Sequence, residues 1–185
     1  MKLTQSKALF LDRDGIINID HGYVGHYDNV EYVDGIFELI RRFEDAGYRP
    51  VIVTNQSGIA RGLFSEDDFL TLMRRIQQDF TQHGIGKVAV YYCPHHPTYG
   101  TGKYKQVCTC RKPAPGMLFK AADDLSLSLT KSIIVGDSWR DIEAGQAANL
   151  AHCYYVSSKP VPKDACLSEV TQVVSLNDIH PSPGT

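Results

Sequence analysis

An apolar run, Ala8 to Leu11, ends in Asp12-Arg13-Asp14-Gly15. The run reads as a buried strand, and side chains two apart in an extended segment point the same way. Asp12 and Asp14 are therefore expected to converge at a strand's carboxyl end, where an open α/β sheet builds its sites. Two acids held this close repel unless a cation or a proton lies between them. The geometry suits a Mg²⁺-dependent aspartyl nucleophile working beside an acid/base carboxyl. For so short a motif taken alone, a solvated acidic turn is the alternative.

The rest of the chain extends this strand into a pattern. Further strand candidates are Arg49–Val53, Val88–Tyr92, Ser132–Val135 and His152–Val156, and helical segments separate them. Ile36, Leu39, Ile40 and Phe43 form the apolar stripe of a helix that Gly47 is placed to end. Ser65 with Asp68, and Ser138 with Asp141, are capping pairs for two more helices. Pro115 opens a helical turn ahead of Met117 to Leu125. Strand–helix alternation of this kind implies an open parallel sheet with helices on both faces. A length of 185 residues suits one domain, residues 1–185, without a large cap. The tail after Pro160 is polar apart from an apolar patch at about Val170–Leu176.

Composition removes several function classes. The net charge of −2 gives no electrostatic reason to expect nucleic acid as a partner, and no apolar run reaches the length of a membrane span. Met1 to Lys7 lacks the apolar core of a secretion signal, so a cytoplasmic location is expected.

Three other strand ends carry groups that match the acid pair. After the second strand comes Thr54-Asn55-Gln56-Ser57-Gly58, whose hydroxyls and amides can bond phosphate oxygens or simply build a turn. After the third comes Cys110-Arg111-Lys112-Pro113, two cations that would also suit a surface turn. After the fourth comes Gly136-Asp137-Ser138, where the acid can complete a hard-cation site or cap a helix.

The stretch from Tyr92 to Pro115 is too long for an ordinary connection. Cys93-Pro94-His95 stands at one end and Cys108-Thr109-Cys110 near the other. Three thiolates and an imidazole make a closed tetrahedral zinc set of structural type, bracing a loop at about 93–110. His96 rivals His95 as the fourth ligand, and unbound reduced thiols are the alternative.

In series, acid pair, hydroxyl, lysine and acid resemble the motifs of the haloacid dehalogenase-like phosphohydrolases, over nearly the whole chain. The resemblance implies that Asp12 is the nucleophile and Asp14 the general acid/base. It implies that Thr54 and Lys112 hold the transferring phosphoryl group. Mg²⁺ would lie between the carboxylates of Asp12 and Asp137 and the main-chain carbonyl of Asp14, with Asp141 behind them. Asp20-His21-Gly22-Tyr23, Thr54 to Gly62, Tyr92 to Pro97 and Cys110 to Pro113 look more narrowly like the D-glycero-D-manno-heptose 1,7-bisphosphate 7-phosphatase family.

That likeness implies a small sugar bisphosphate as substrate, on the route to nucleotide-activated heptose for lipopolysaccharide. By the same resemblance Asp20, His21, Gly22, Tyr23, Asn55, Gln56 and Ser57 contact the sugar, and Arg111 holds the phosphate that is not cleaved. A monomer is expected. Ile16 and Ser138 depart from the family pattern, which usually has threonine and often has lysine there. Histidinol-phosphate phosphatase is the nearest rival reading, and a zinc-loop binding module without catalysis is a rival of another class.

Overall fold

The computed structural model describes residues 5–181; Met1–Thr4 and the last four residues lie outside it. Six strands form one parallel sheet in the order β3-β2-β1-β4-β5-β6. They are β1 (Lys7–Leu11), β2 (Tyr48–Asn55), β3 (Ala89–Cys93), β4 (Ile133–Gly136), β5 (His152–Val156) and β6 (Val170–Val173). Five of them lie where the apolar runs place them. The sixth is the apolar patch of the tail, which adds to the edge by pairing with β5.

Side-chain alternation divides the core. Leu9 and Leu11 of β1 face one way with Ile52 and Val135, against α1 (Ile36–Asp45) and α3 (Glu66–Gln82). Ala8 and Phe10 face the other way with Val51, Val53 and Ile134, against α4 (Gly116–Leu125) and α5 (Trp139–Ala147). The central strands are therefore apolar on both faces, as a sheet covered by helices on each side requires. Ile16, the departure from the family's threonine, is fully buried in the first of these cores.

Helix ends follow their capping chemistry. Ser65 Oγ accepts from the Asp68 amide at 3.0 Å while Asp68 takes the Ser65 amide at 2.9 Å, so α3 starts at a complete capping box. Pro115 stands one residue before the first turn of α4 rather than within it. The segment Ser57–Ala60, which reads as a turn, is a four-residue helix, α2.

Strand order reverses between β1 and β4, which are neighbours at the centre of the sheet. The connections leave them in opposite directions and open a crevice beyond their carboxyl ends. Asp12 follows β1, Thr54 lies near the end of β2 and Asp137 follows β4, so the acids and the hydroxyl share one edge of the sheet.

Candidate active site

A cleft of about 490 Å³ opens over this edge. Asp12, Asp137 and Asp141 each bring a carboxylate oxygen within 4.8 Å of the others at its floor. Burial, reinforced by Asp141 and Asp137, pushes the Asp12 carboxyl up to about 7, although Lys112 opposes the shift. Burial and then Asp141 push Asp137 up to about 6. Carboxylates gathered in so little space repel one another, and a cation among them relieves the repulsion. Oxygen donors of this kind fit a hard divalent ion.

Gly15 makes the crowding possible. Its φ of +89° is a left-handed conformation, and a Cβ there would sit 2.0 Å from Asp137 Oδ2. Any other side chain would both strain the turn and displace the acid.

Lys112 is the counter-charge. Its Nζ donates to Asp12 Oδ1 at 2.9 Å and to the Val53 carbonyl at 2.7 Å, and lies 2.6 Å from Asp141 Oδ1. The side chain is only 3% exposed. Burial opposes its charge, but Asp12 and Asp141 outweigh burial and hold its pKa above the ordinary lysine range. Asn55 fixes the backbone beneath it: Oδ1 accepts from the Lys112 amide and Nδ2 donates to the Lys112 carbonyl, each at 3.0 Å.

Asp14 is held apart from the acid cluster. Arg13 Nη2 lies 2.7 Å and 2.8 Å from its two oxygens, and Arg13 Nε donates to Oδ1 at 3.1 Å. Asn18 Nδ2 and Gln56 Nε2 each donate to it at 3.0 Å. Gln56 also donates to Thr54 Oγ1 at 2.8 Å, which links the ends of β1 and β2. Arg13 is completely buried, with Nη2 also donating to the Val24 carbonyl. Sequence reasoning passed over Arg13 because an arginine between two acids reads as solvated. No local signal marks it, because its immediate neighbours are the two acids themselves.

Asp20, Gly22, Tyr23, Asn55, Gln56, Ser57 and Arg111 line the cleft with the acids and Lys112. Thr54 is buried just beneath, its hydroxyl occupied by Gln56. His21 turns aside, its Nε2 lying 3.1 Å from Glu31 Oε2 over a neighbouring hollow. Arg61, His96 and Arg140 also line the cleft.

The cysteine segment converges on a second cluster. Cys93 Sγ lies 3.5 Å from Cys108 Sγ, and Cys110 Sγ lies 3.2 Å from Cys108 Sγ. His95 Nδ1 lies 3.8 Å from Cys93 Sγ and 3.5 Å from Cys110 Sγ. A tetrahedral zinc centre has edges of about 3.8 Å between sulfurs and about 3.6 Å from sulfur to nitrogen. The donors could hold a metal, and all five cysteines are free thiols. His96 is not among the converging donors. Its Nδ1 accepts the amides of Thr98 at 3.2 Å and Tyr99 at 3.0 Å, which pins the ring in the loop. Glu66 of α3 tethers the loop from below, accepting the hydroxyls of Tyr92 and Tyr104 at 2.7 Å each.

Comparison with known proteins follows the same lines. A family model described as HAD-hydrolase-like matches residues 109–172. The chain is 42% identical, over 95% of its length and 94% of the relative's, to the D-glycero-beta-D-manno-heptose-1,7-bisphosphate 7-phosphatase of Vibrio cholerae. It is 45% identical to the enzyme of that name from Escherichia coli K12, over 85% of this chain and 83% of the relative. The crystal structure of D,D-heptose 1,7-bisphosphate phosphatase from B. bronchiseptica, complexed with magnesium and phosphate, superposes with a TM-score of 0.76. That protein is 29% identical, and the match covers 92% of this chain and 93% of the other.

Fold and site thus define a phosphoric monoester hydrolase of the HAD-like class. Within it, the chain belongs to the D-glycero-beta-D-manno-heptose-1,7-bisphosphate 7-phosphatase family. Among the described residues no helix is long and apolar enough to cross a membrane.

Proposed function

We propose that this enzyme removes the 7-phosphate of D-glycero-D-manno-heptose 1,7-bisphosphate through an aspartyl-phosphate intermediate. The observation that carries the reading is the Asp12–Lys112–Asp141 cluster at the sheet's switch point, in a chain whose relatives bear this name. The carboxylates of Asp12 and Asp137 and the main-chain carbonyl of Asp14 would hold Mg²⁺, with Asp141 supporting through Lys112. When bound, the ion offsets the repulsion between a carboxylate and an anionic phosphate and stabilises charge on the equatorial oxygens.

Asp12 attacks phosphorus in line, and the bond from phosphorus to the sugar oxygen breaks. Asp14 delivers a proton to that departing oxygen, then accepts one from the water that cleaves the acyl phosphate. Lys112 makes three contacts before substrate arrives, so it meets the phosphoryl group by exchanging its bond to Asp12. Its ammonium needs no reorientation from bulk water, which is the advantage of preorganised charge. Gln56 joins Thr54 to Asp14 and holds the hydroxyl and the acid in register.

Asp20, His21, Gly22, Tyr23, Asn55 and Ser57 form the sugar-facing surface, and Arg111 meets the phosphate that stays. Cys93, His95, Cys108 and Cys110 would hold a structural Zn²⁺, four protein donors that brace the loop rather than take part in the chemistry. The enzyme acts as a monomeric, cytoplasmic single-domain protein in the supply of nucleotide-activated heptose for lipopolysaccharide.

The test compares phosphate release from the heptose 1,7-bisphosphate with release from histidinol phosphate, with Mg²⁺ present. A kcat/KM at least about a hundredfold higher for the bisphosphate is expected, a difference of roughly 2.7 kcal/mol. Equal turnover, or a preference for histidinol phosphate, contradicts the reading.

A further inference from the structure

The floor of the cleft is acidic, but its rim is not. Arg61, Arg111 and Arg140 line the same opening. They come from three separate places: the end of α2, the segment after the cysteine loop, and the first turn of α5. Among the described residues none of the three makes an ion pair. The floor carboxylates that do pair are committed elsewhere, Asp12 and Asp141 to Lys112 and Asp14 to Arg13.

Each guanidinium is held with N–H groups to spare. Arg61 lies 3.9 Å over the Tyr99 ring and 5.5 Å over the Tyr23 ring, contacts that occupy its faces and leave its edges. Its Nε is buried without a hydrogen-bond partner. Arg111 Nη1 donates to the His95 carbonyl at 3.3 Å, and Arg140 Nε to Ser138 Oγ at 3.3 Å. Burial and then Arg140, with a smaller effect of Arg61, hold the Arg111 guanidinium below its usual range. Arg111 therefore feels the charge of both the others.

Like charges gathered without an ion-pair partner repel, and an anion relieves the repulsion. Guanidinium forks match phosphate oxygens in pairs, and several together favour a dianion over a hydroxyl. A sugar hydroxyl or a neutral ring gives no reason for such a rim.

We propose that Arg61 and Arg140 join Arg111 in a three-guanidinium clamp for the second, unreacted phosphate, and that these two arginines determine the preference for bisphosphates over monophosphates. This inference rests on the sugar-bisphosphate reading above. The clamp grips the substrate at the rim while the reacting phosphate meets Asp12 and Lys112 at the floor. Binding energy at a remote group orients the reacting one. Tyr23 and Tyr99, stacked on Arg61, tie the loop after β1 and the cysteine loop to the clamp.

The experiment measures kcat/KM for heptose 1,7-bisphosphate and for heptose 7-phosphate with Mg²⁺, in wild type, Arg61→Met, Arg140→Met and Arg74→Met. Arg74 is an exposed residue of α3 outside the cleft and controls for net charge. Wild type is expected to favour the bisphosphate. Arg61→Met and Arg140→Met should each lower the bisphosphate-to-monophosphate ratio at least about tenfold, mainly through KM, the scale of one charge-assisted hydrogen bond. Arg74→Met should leave the ratio in place. Arg140 is exposed, so its variant decides the question even if Arg61→Met fails to fold. A wild type that prefers the bisphosphate with an unchanged ratio in Arg140→Met overturns the clamp alone. An equal fall in Arg74→Met also overturns it, by assigning the effect to net charge. A wild type without any preference overturns the sugar-bisphosphate reading, and the clamp with it.

Discussion

The two clusters of this enzyme are positioned by different means. Asp12, Thr54 and Asp137 stand at or just past the ends of three strands whose side chains fill both cores. Their separation is set by strand spacing and register, and each fully buried Leu, Ile or Phe beneath them contributes about 1.5–3 kcal/mol. The cysteine cluster has that support at one donor, Cys93, the buried last residue of β3, and less at the other three. It closes a segment with no strand between Cys93 and the start of α4, and its order depends on four side chains meeting and on Glu66 below. The acid site is an outcome of the fold. The cysteine site is four donors gathered from a loop, a set that could hold a metal. The join between them is Arg111-Lys112, directly after Cys110, where Asn55 at the end of β2 also holds the Lys112 backbone.

This contrast can be broken at either end. Asp12→Asn should have the largest effect on turnover and little on stability. It removes the nucleophile but leaves the strand, so kcat should fall at least about a hundredfold while the melting temperature holds. Retention of activity would show that the acid site's position is not matched by its chemistry. Cys108→Ser, or chelation of the native protein, should do the reverse. The loop should become protease-sensitive, and kcat/KM should fall between about tenfold and a hundredfold as Lys112 loses its aim. Circular dichroism should show the sheet intact. Full activity with unchanged protease resistance would mean that the loop needs no cross-link. Glu66→Gln should give the smallest change. Losing two charge-assisted bonds from tyrosine hydroxyls should cost about 1–3 kcal/mol in denaturant unfolding, with activity down less than about threefold. A loss as large as that of Cys108→Ser would transfer the bracing role from the cysteines to α3.

Legibility in sequence followed the same division. Strands carrying long β-branched and aromatic runs, such as Val51-Ile52-Val53 and Ile133-Ile134-Val135, were readable because burial on both faces leaves no polar position. β6 was not, because Thr171 and Gln172 are exposed at the sheet's edge and break the run. α2 was hidden because Ser57-Gly58-Ile59-Ala60 has too few residues to show a helical period. The acids were legible from their places after apolar runs. Arg13 was not, since nothing local distinguishes a buried guanidinium from a solvated one. That His95 rather than His96 lies beside the three thiols also needed three dimensions, because adjacent histidines carry no sign of which ring turns inward. Arg61 and Arg140 lie 79 residues apart in sequence and line one cleft only in the folded chain.

The measurement that bears most directly on the central claim is chemical capture of the intermediate. The enzyme with Mg²⁺ is mixed with excess heptose bisphosphate, quenched in acid and treated with borohydride, which reduces an acyl phosphate to an alcohol. Peptide mapping should then find homoserine at position 12 and aspartate at every other acid of the cleft. Homoserine at another position, or none under turnover conditions, would contradict covalent catalysis by Asp12.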